Sequence, residues 1–441
     1  MKNRTILSSL LACTLCVSMF SGCGGGGQTA STAAEPSGTS SQKSEEKVTL
    51  TWALWDKDKV KYYQQLADAY HSKHPNVEIS FKDLGSSDYQ TALGTQLAGG
   101  DSGLDIVSVK DIPGYASMTK AGELLDLTQY IQDNNIDTSK YNGVVDEIKV
   151  DGKIYELPYK NEFWIVYYNK DLFDKAKVAY PTNDMTFTQY DALARKLASG
   201  SGNSKVYGNF YHKWRSTVQL FGVLDGKHTI LDGDYSFLKP YYNTVLKEQQ
   251  DGICMDYATL KTSNTTYQGM FENNQVAMLN MGGWFLTTLM SDIKSDKSNC
   301  KNFGIVRYPH PDGVKAGTTL GAIAGLAVTA TTKHKDEACD FLKFATGEEG
   351  QTIIAKDATM PAIQDSSTVE SITGLDGFPS DQNSKDAMKP VKIYLEMPLH
   401  SQSAAIDKAL NDAHDAIMSK SVSVDDGIKQ MNENVKPLLN K

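Results

Sequence analysis

Val48-Thr49-Leu50-Thr51-Trp52, Val77-Glu78-Ile79-Ser80-Phe81 and Asp105-Ile106-Val107-Ser108-Val109 are three short apolar runs, and what lies between them decides the fold. Val48, Leu50 and Trp52 alternate as a strand requires. Val60, Tyr63, Ala67 and Tyr70 then recur at helical spacing, and Pro75 closes that segment. Residues 88–98 read as a second helix before the third run. Strand, helix, strand, helix, strand predicts βαβ units and a mainly parallel sheet, hence an α/β protein. Ligands of such sheets bind beyond the carboxyl ends of the strands, which points to the loops after Trp52 and Val109.

Further along, Asp151-Gly152 marks a turn, and Ile154 to Tyr168 reads as extended. Thr188 with Asp191 resembles a capping box opening a helix over 189–199. Residues 200–204 form a loop, and Tyr235 to Glu248 and Asn264 to Phe271 read as helical. Val276-Ala277-Met278-Leu279 is a buried strand followed by Gly282-Gly283-Trp284. Residues 319–330 form a small-residue apolar strand, Asp336 to Ala345 a helix, and Glu348-Glu349 opens the next. The tail from Ser403 to Leu439 is largely helical, and no internal repeat is found.

The first 46 residues differ in kind. Lys2 and Arg4 precede a mostly apolar run from Ile6 to Phe20 and then Ser21-Gly22. That is the pattern of a secretory signal peptide, with an apolar part too short to span a bilayer. Phe20-Ser21-Gly22-Cys23 resembles the bacterial lipobox, with Phe20 where Leu is usual, which implies cleavage after residue 22 and a lipid on Cys23. Residues 24–46 lack aromatic and large aliphatic side chains and read as a flexible tether. An anchored chain of this kind implies the outer face of the cell membrane.

A chain of 441 residues exceeds the size at which one core stops growing, so two lobes are expected. Its net charge of −9, made more negative by loss of Lys2 and Arg4, argues against a nucleic-acid partner. Cys254, Cys300 and Cys339 are left once Cys13, Cys16 and Cys23 are assigned to the leader and anchor, and three distant cysteines form neither a disulfide framework nor a zinc pattern. Cys339 reads as a small core residue. Asp232-Gly233-Asp234 lacks the spaced acids of a calcium loop, and no metal or other cofactor is expected.

Several segments taken together resemble the extracellular solute-binding lipoproteins of carbohydrate ABC importers, in the branch that includes maltose-binding protein. They are Asp105-Ile106-Val107 with Gly122-Glu123-Leu124-Leu125-Asp126-Leu127-Thr128; Gly152 to Pro158 with Tyr167-Tyr168-Asn169-Lys170-Asp171-Leu172-Phe173; Asn274 to Met278 with Gly283-Trp284; and Gly325 to Thr329 with Lys333 to Ala338, Phe341-Leu342 and Glu348-Glu349-Gly350. The resemblance covers residues 48 to about 360 and implies a periplasmic-binding-protein-like fold of two hinged α/β lobes with a ligand cleft between them. It places one lobe in residues 47–152 and 319–362 and the other in 153–318 and 363–441, with crossings near Asp151, Thr318 and Pro361. It implies a monomer that captures a sugar, of oligosaccharide size, by lobe closure and passes it to membrane permease subunits, without catalysis.

A sugar presents flat apolar faces and a rim of hydroxyls, so its site needs aromatic platforms and charged or amide groups. Trp55 and Asp56 follow the first strand, where the family often carries an Asp; the plain reading of Asp56 is a solvated turn acid. Trp52 reads as core. Asp111 either accepts from sugar hydroxyls or caps the helix near Pro113. Glu162 carries over from the family's ligand-contacting Glu, and Trp164 shares its face of an extended segment while Phe163 points to the core. Trp284 falls where the family stacks a Trp on ligand, after glycines that allow close approach; the alternative is a core indole. Trp214 and Arg215 fall where the family has sugar contacts, and His212 reads as a surface residue. Two other functions remain open from sequence. One is an exported glycoside hydrolase using Asp56 and Glu162. The other is the same fold binding a non-sugar solute, in particular an anion such as a phosphorylated compound, for which Arg195, Arg215 and Arg307 form no cluster.

Overall fold

The structure is a computed structural model that describes residues 46–440 apart from 101, 102, 264 and 391. The expected signal peptide, Cys23 and nearly all of the tether lie outside the described residues.

The opening alternation becomes β1 (Val48–Leu54), which pairs in parallel with β2 (Val77–Asp83) and β3 (Ile106–Val109). Helices Tyr62–Lys73 and Tyr89–Leu97 make the crossovers, the first burying Tyr62, Tyr63, Leu66, Ala67 and Tyr70 against the sheet. Trp52 is core, as its strand position predicts: the rings of Tyr63 and Phe341 meet it edge-on at 5.2 and 5.5 Å, and its indole N–H donates to Ser108 Oγ at 2.9 Å.

Two long strands set the architecture. β4 (Leu157–Asn169) has 13 residues and β8 (Thr318–Val328) has 11. From Leu157 to Phe163, β4 runs antiparallel to β8; from Trp164 onward it leaves β8 and pairs with β6 (Val276–Gly282) and β7 (Phe303–Arg307). β8 reaches β3 at its carboxyl end and β9 (Lys392–Leu395) at its start. β5 (Tyr207–Phe210) lies parallel to β6. Among the described residues the sheet order is therefore β2-β1-β3-β8-β4-β6-β5, with β7 on β4 and β9 on β8. The sheet is mixed, not mainly parallel, because β4 pairs antiparallel with three neighbours. Asp151-Gly152 turns the chain ahead of β4: both residues adopt positive φ, 51° and 77°, and Val150 and Lys153 exchange backbone hydrogen bonds across them. Two consecutive left-handed residues give the twist a tight two-residue hairpin needs.

Other local readings shift by a few residues. The capping box is Thr186 with Gln189, opening helix Phe187–Leu197, because the Gln189 side chain reaches back to the Thr186 N–H. The helix expected from Asn264 to Phe271 starts later, at Tyr267–Glu272 with Thr266 as its cap, and a further short helix, Tyr257–Thr262 capped by Asp256, precedes it. The tail forms helices Ser403–Met418 and Val424–Leu439, packed on each other, and the former also packs on helix Ile112–Ala121. Cys254, Cys300 and Cys339 are buried free thiols. No helix of the described residues is long and apolar enough to cross a membrane.

His212 corrects the sequence reading, being buried rather than at the surface; burial and the nearby Lys213 push its imidazole down to about 4. His414 is fully buried, its Nδ1 3.0 Å from the Tyr242 hydroxyl, and burial pushes it down to about 3. Between that value and the unfolded value near 6.5, only the unfolded chain takes up the proton, so His414 makes stability fall as pH drops through this window. The contribution is about 1.4 kcal/mol per pH unit. Melting scans should show a shallower acid slope between pH 6 and 4 for His414→Gln than for the native chain; equal slopes would mean that the folded protein protonates His414.

Candidate functional site

The register of β4 concentrates the site. Trp164 pairs with Gly282 at the first position beyond β8, so the strand change sets Glu162 on one side of this junction and Trp164 on the other. Gly283 and Trp284 follow at once, Trp284 opening helix Trp284–Lys294.

On the β6 side, five aromatic rings converge. Trp284 is half-buried; Trp164 meets it edge-on at 5.5 Å and Trp214 at 6.3 Å. Tyr267 lies 5.9 Å from Trp214, and His212 sits edge-on to Trp214 at 4.4 Å. Trp164 is itself buried, and its indole N–H donates to Glu396 Oε2 at 2.9 Å. That bond fixes its ring as a support for Trp284 rather than as an open platform. Burial raises the Glu396 carboxyl, against the opposing effects of Arg215 and of the Trp164 hydrogen bond.

Gly282 makes the Trp284 pose possible. A Cβ there would stand 2.0 Å from Cζ3 of the Trp284 ring. Gly282→Ala should therefore displace the indole and weaken ligand binding about tenfold or more, with the fold retained, since overpacking costs about 1–3 kcal/mol. Binding isotherms check this; unchanged affinity would show that the indole pose is immaterial.

On the β1 side, Trp55 is buried with its edge on Tyr89 at 4.9 Å, and Lys160 Nζ and Lys110 Nζ lie 5.1 and 5.4 Å from its ring centre. Asp56 adopts φ 54° and ion-pairs with Lys59 at 3.0 Å. Glu162 is buried beside Lys160, 3.3 Å away. Burial lowers Lys160, but Glu162, Tyr159 and Asp56 outweigh it and raise the ammonium overall. Burial pushes the Tyr267 hydroxyl up to about 12, with the Trp284 indole opposing the rise and the Glu162 and Asp56 charges adding to it.

Asp111 and Arg215 are held differently. Asp111 caps helix Ile112–Ala121, accepting from Gly114 N–H at 2.8 Å and from Gln90 Nε2 at 3.1 Å. Burial raises its carboxyl despite these bonds. Arg215 is buried with its guanidinium on Asp407 at 2.6 Å and Gln219 at 3.4 Å. The structure thus gathers Trp55, Asp56, Glu162, Trp164, Trp214 and Trp284 around one junction and ties Asp111 and Arg215 into local networks. Sequence reasoning missed Lys110, Lys160, Tyr267 and Glu396. The first two flank named residues, and a lysine two positions from Glu162 on one strand face was the available signal. No group of His, Cys, Asp and Glu among the described residues is arranged to hold a metal ion. A polar depression of about 620 Å³ between Lys420 and Glu433 shares no residue with this site.

Residues 56–352 match the family described as bacterial extracellular solute-binding protein. The chain belongs to that family. It is 26% identical over 367 residues to an uncharacterized ABC transporter extracellular-binding protein of Pyrococcus horikoshii, covering 80% of each chain. The crystal structure of a sugar transporter from Rhizobium etli in an open conformation is 53% identical, with a TM-score of 0.79 over 88% of this chain and 99% of that one. An ABC substrate-binding protein of Listeria monocytogenes, in complex with cycloalternan, shares the fold with a TM-score of 0.77 over 90% of this chain and all of its own, at 21% identity. The fold is therefore the two-lobed one of periplasmic sugar-binding proteins.

Proposed function

We propose that this protein is a lipid-anchored receptor on the outer face of the cell membrane. It captures a neutral sugar of oligosaccharide size between two lobes and delivers it, as a monomer and without catalysis, to an ABC-type importer. The observation that carries the reading is the β4 junction, where the Trp55–Lys160–Glu162 cluster stands two residues along the strand from the Trp164–Trp284–Trp214 indoles. Indole faces match the apolar faces of a sugar ring, and buried carboxylates match its hydroxyl rim. Family membership and the 53% identity to a sugar transporter support the same ligand class. We assign the lobes to residues 47–152 with 319–362 and to 153–318 with 363–441, and the shared strands β4 and β8 supply the crossings about which hinge closure turns.

A thermal-shift panel of mono- and oligosaccharides tests the ligand, because a ligand bound by the folded state alone raises the melting temperature. No shift with any sugar would sink the proposal. The anchor is tested separately: Cys23→Ala should release the protein into the medium or leave an unprocessed precursor, whereas a still lipid-labelled product would remove Cys23 as the attachment point.

A further inference from the structure

Lys160 and Glu162 form an ion pair whose side chains are only 12% and 9% exposed. Taking two charges this far out of water carries a penalty of several kcal/mol per ion, which a single contact at 3.3 Å offsets poorly. An ammonium has three donors and a carboxylate about four acceptor positions, so this pair leaves most of its hydrogen-bonding capacity unused by one another. Both residues lie on the part of β4 that runs along β8, just before the strand reaches the indoles at Trp164 and Gly282. Lys160 is held in place by the Trp55 ring, with its Nζ 5.1 Å from the ring centre. Trp55 is in turn fixed edge-on against Tyr89.

A sugar hydroxyl both donates and accepts, and two hydroxyls on adjacent carbons lie about 2.8 Å apart, close to a hydrogen-bond length. One can donate to a carboxylate while its neighbour accepts from an ammonium, and each bond to a charged group is worth more than a neutral one. We infer that Lys160 and Glu162 act together as a donor–acceptor pair that reads two neighbouring hydroxyls of the bound sugar, with Trp55 as the positioning residue that aims Lys160. The substrate class is a neutral saccharide with an unsubstituted vicinal diol at the end nearest β1. An acidic sugar would set its carboxylate against Glu162. This inference rests on the sugar reading above.

Calorimetric titration of the native chain with maltose, lactose, mannobiose and digalacturonate provides the test. At least one neutral disaccharide should bind, and better than digalacturonate. For that disaccharide, Lys160→Met and Glu162→Gln should each weaken binding by about 10- to 100-fold. Trp55→Leu should weaken it similarly, Trp55→Phe should retain most of the affinity, and Trp55→Leu should add little in the Lys160→Met background. That non-additivity is what a purely structural role for Trp55 would lack. Unchanged affinity in both Lys160→Met and Glu162→Gln, or additive losses with Trp55→Leu, would overturn the pair's role while leaving the sugar reading intact. Binding of digalacturonate alone would overturn the neutral diol. Binding of none of the four sugars would overturn the pair's role as stated, while the sugar reading is decided separately by the wider thermal-shift panel.

Discussion

Trp284→Ala should weaken sugar binding by about 30- to 1,000-fold while the protein still folds. Truncating a buried aromatic anchor at the centre of an interface typically costs about 2–4 kcal/mol of binding, and three features place Trp284 in that role. It is half-buried and not sealed in the core; Trp164 and Trp214 brace it from two sides; and Gly282 lets its ring lie against the backbone. The same change costs the fold less than removal of a fully buried tryptophan, for which about 3–5 kcal/mol is usual. Titration calorimetry with the sugar that gives the largest thermal shift separates the two effects. A variant that melts lower but binds as before would move Trp284 from the site into the scaffold.

The opposite division is expected at Arg215. Its side chain is 4% exposed and lies on Asp407 at 2.6 Å, and its charge also acts on the buried Glu396 carboxyl. Arg215→Leu leaves Asp407 and Glu396 without their cation, and breaking a buried pair from one side costs about 3–5 kcal/mol. For lobes of this size that is a fall in melting temperature of roughly 10 °C. Glu396 also holds the Trp164 indole, so affinity should fall too, but as a consequence of the lost scaffold. Scanning calorimetry without sugar decides the matter. An unchanged melting temperature with lost binding would make Arg215 a ligand contact after all.

These two residues show how far each kind of information reaches. Alternation at Val48, Leu50 and Trp52, helical spacing from Tyr63 to Tyr70 and the Asp151-Gly152 turn are local signals, and each produced the expected element. The Gly282-Gly283-Trp284 run was legible for the same reason, since two residues without side chains beside a large ring mark a close approach. Long-range pairing left no such mark. Nothing near Trp164 in the chain reveals that its N–H bonds Glu396, which is 232 positions away, or that Asp407 takes the Arg215 guanidinium. His212 sits among polar neighbours and looks solvated, yet Trp214 and Tyr267 close over it.

The sequence by itself determined the α/β class and the family, because periodicity, turn chemistry and short motifs are written along the chain. Only the tertiary structure decided which charged side chains gather at the β4 junction, as Lys160 and Glu162 do, and which are tied into local networks, as Asp111 and Arg215 are. Hydrogen-bond partners and burial depend on strands and helices far apart in sequence, and β4 changes its neighbour at Trp164, between two side chains that a reading of the strand alone places on one face.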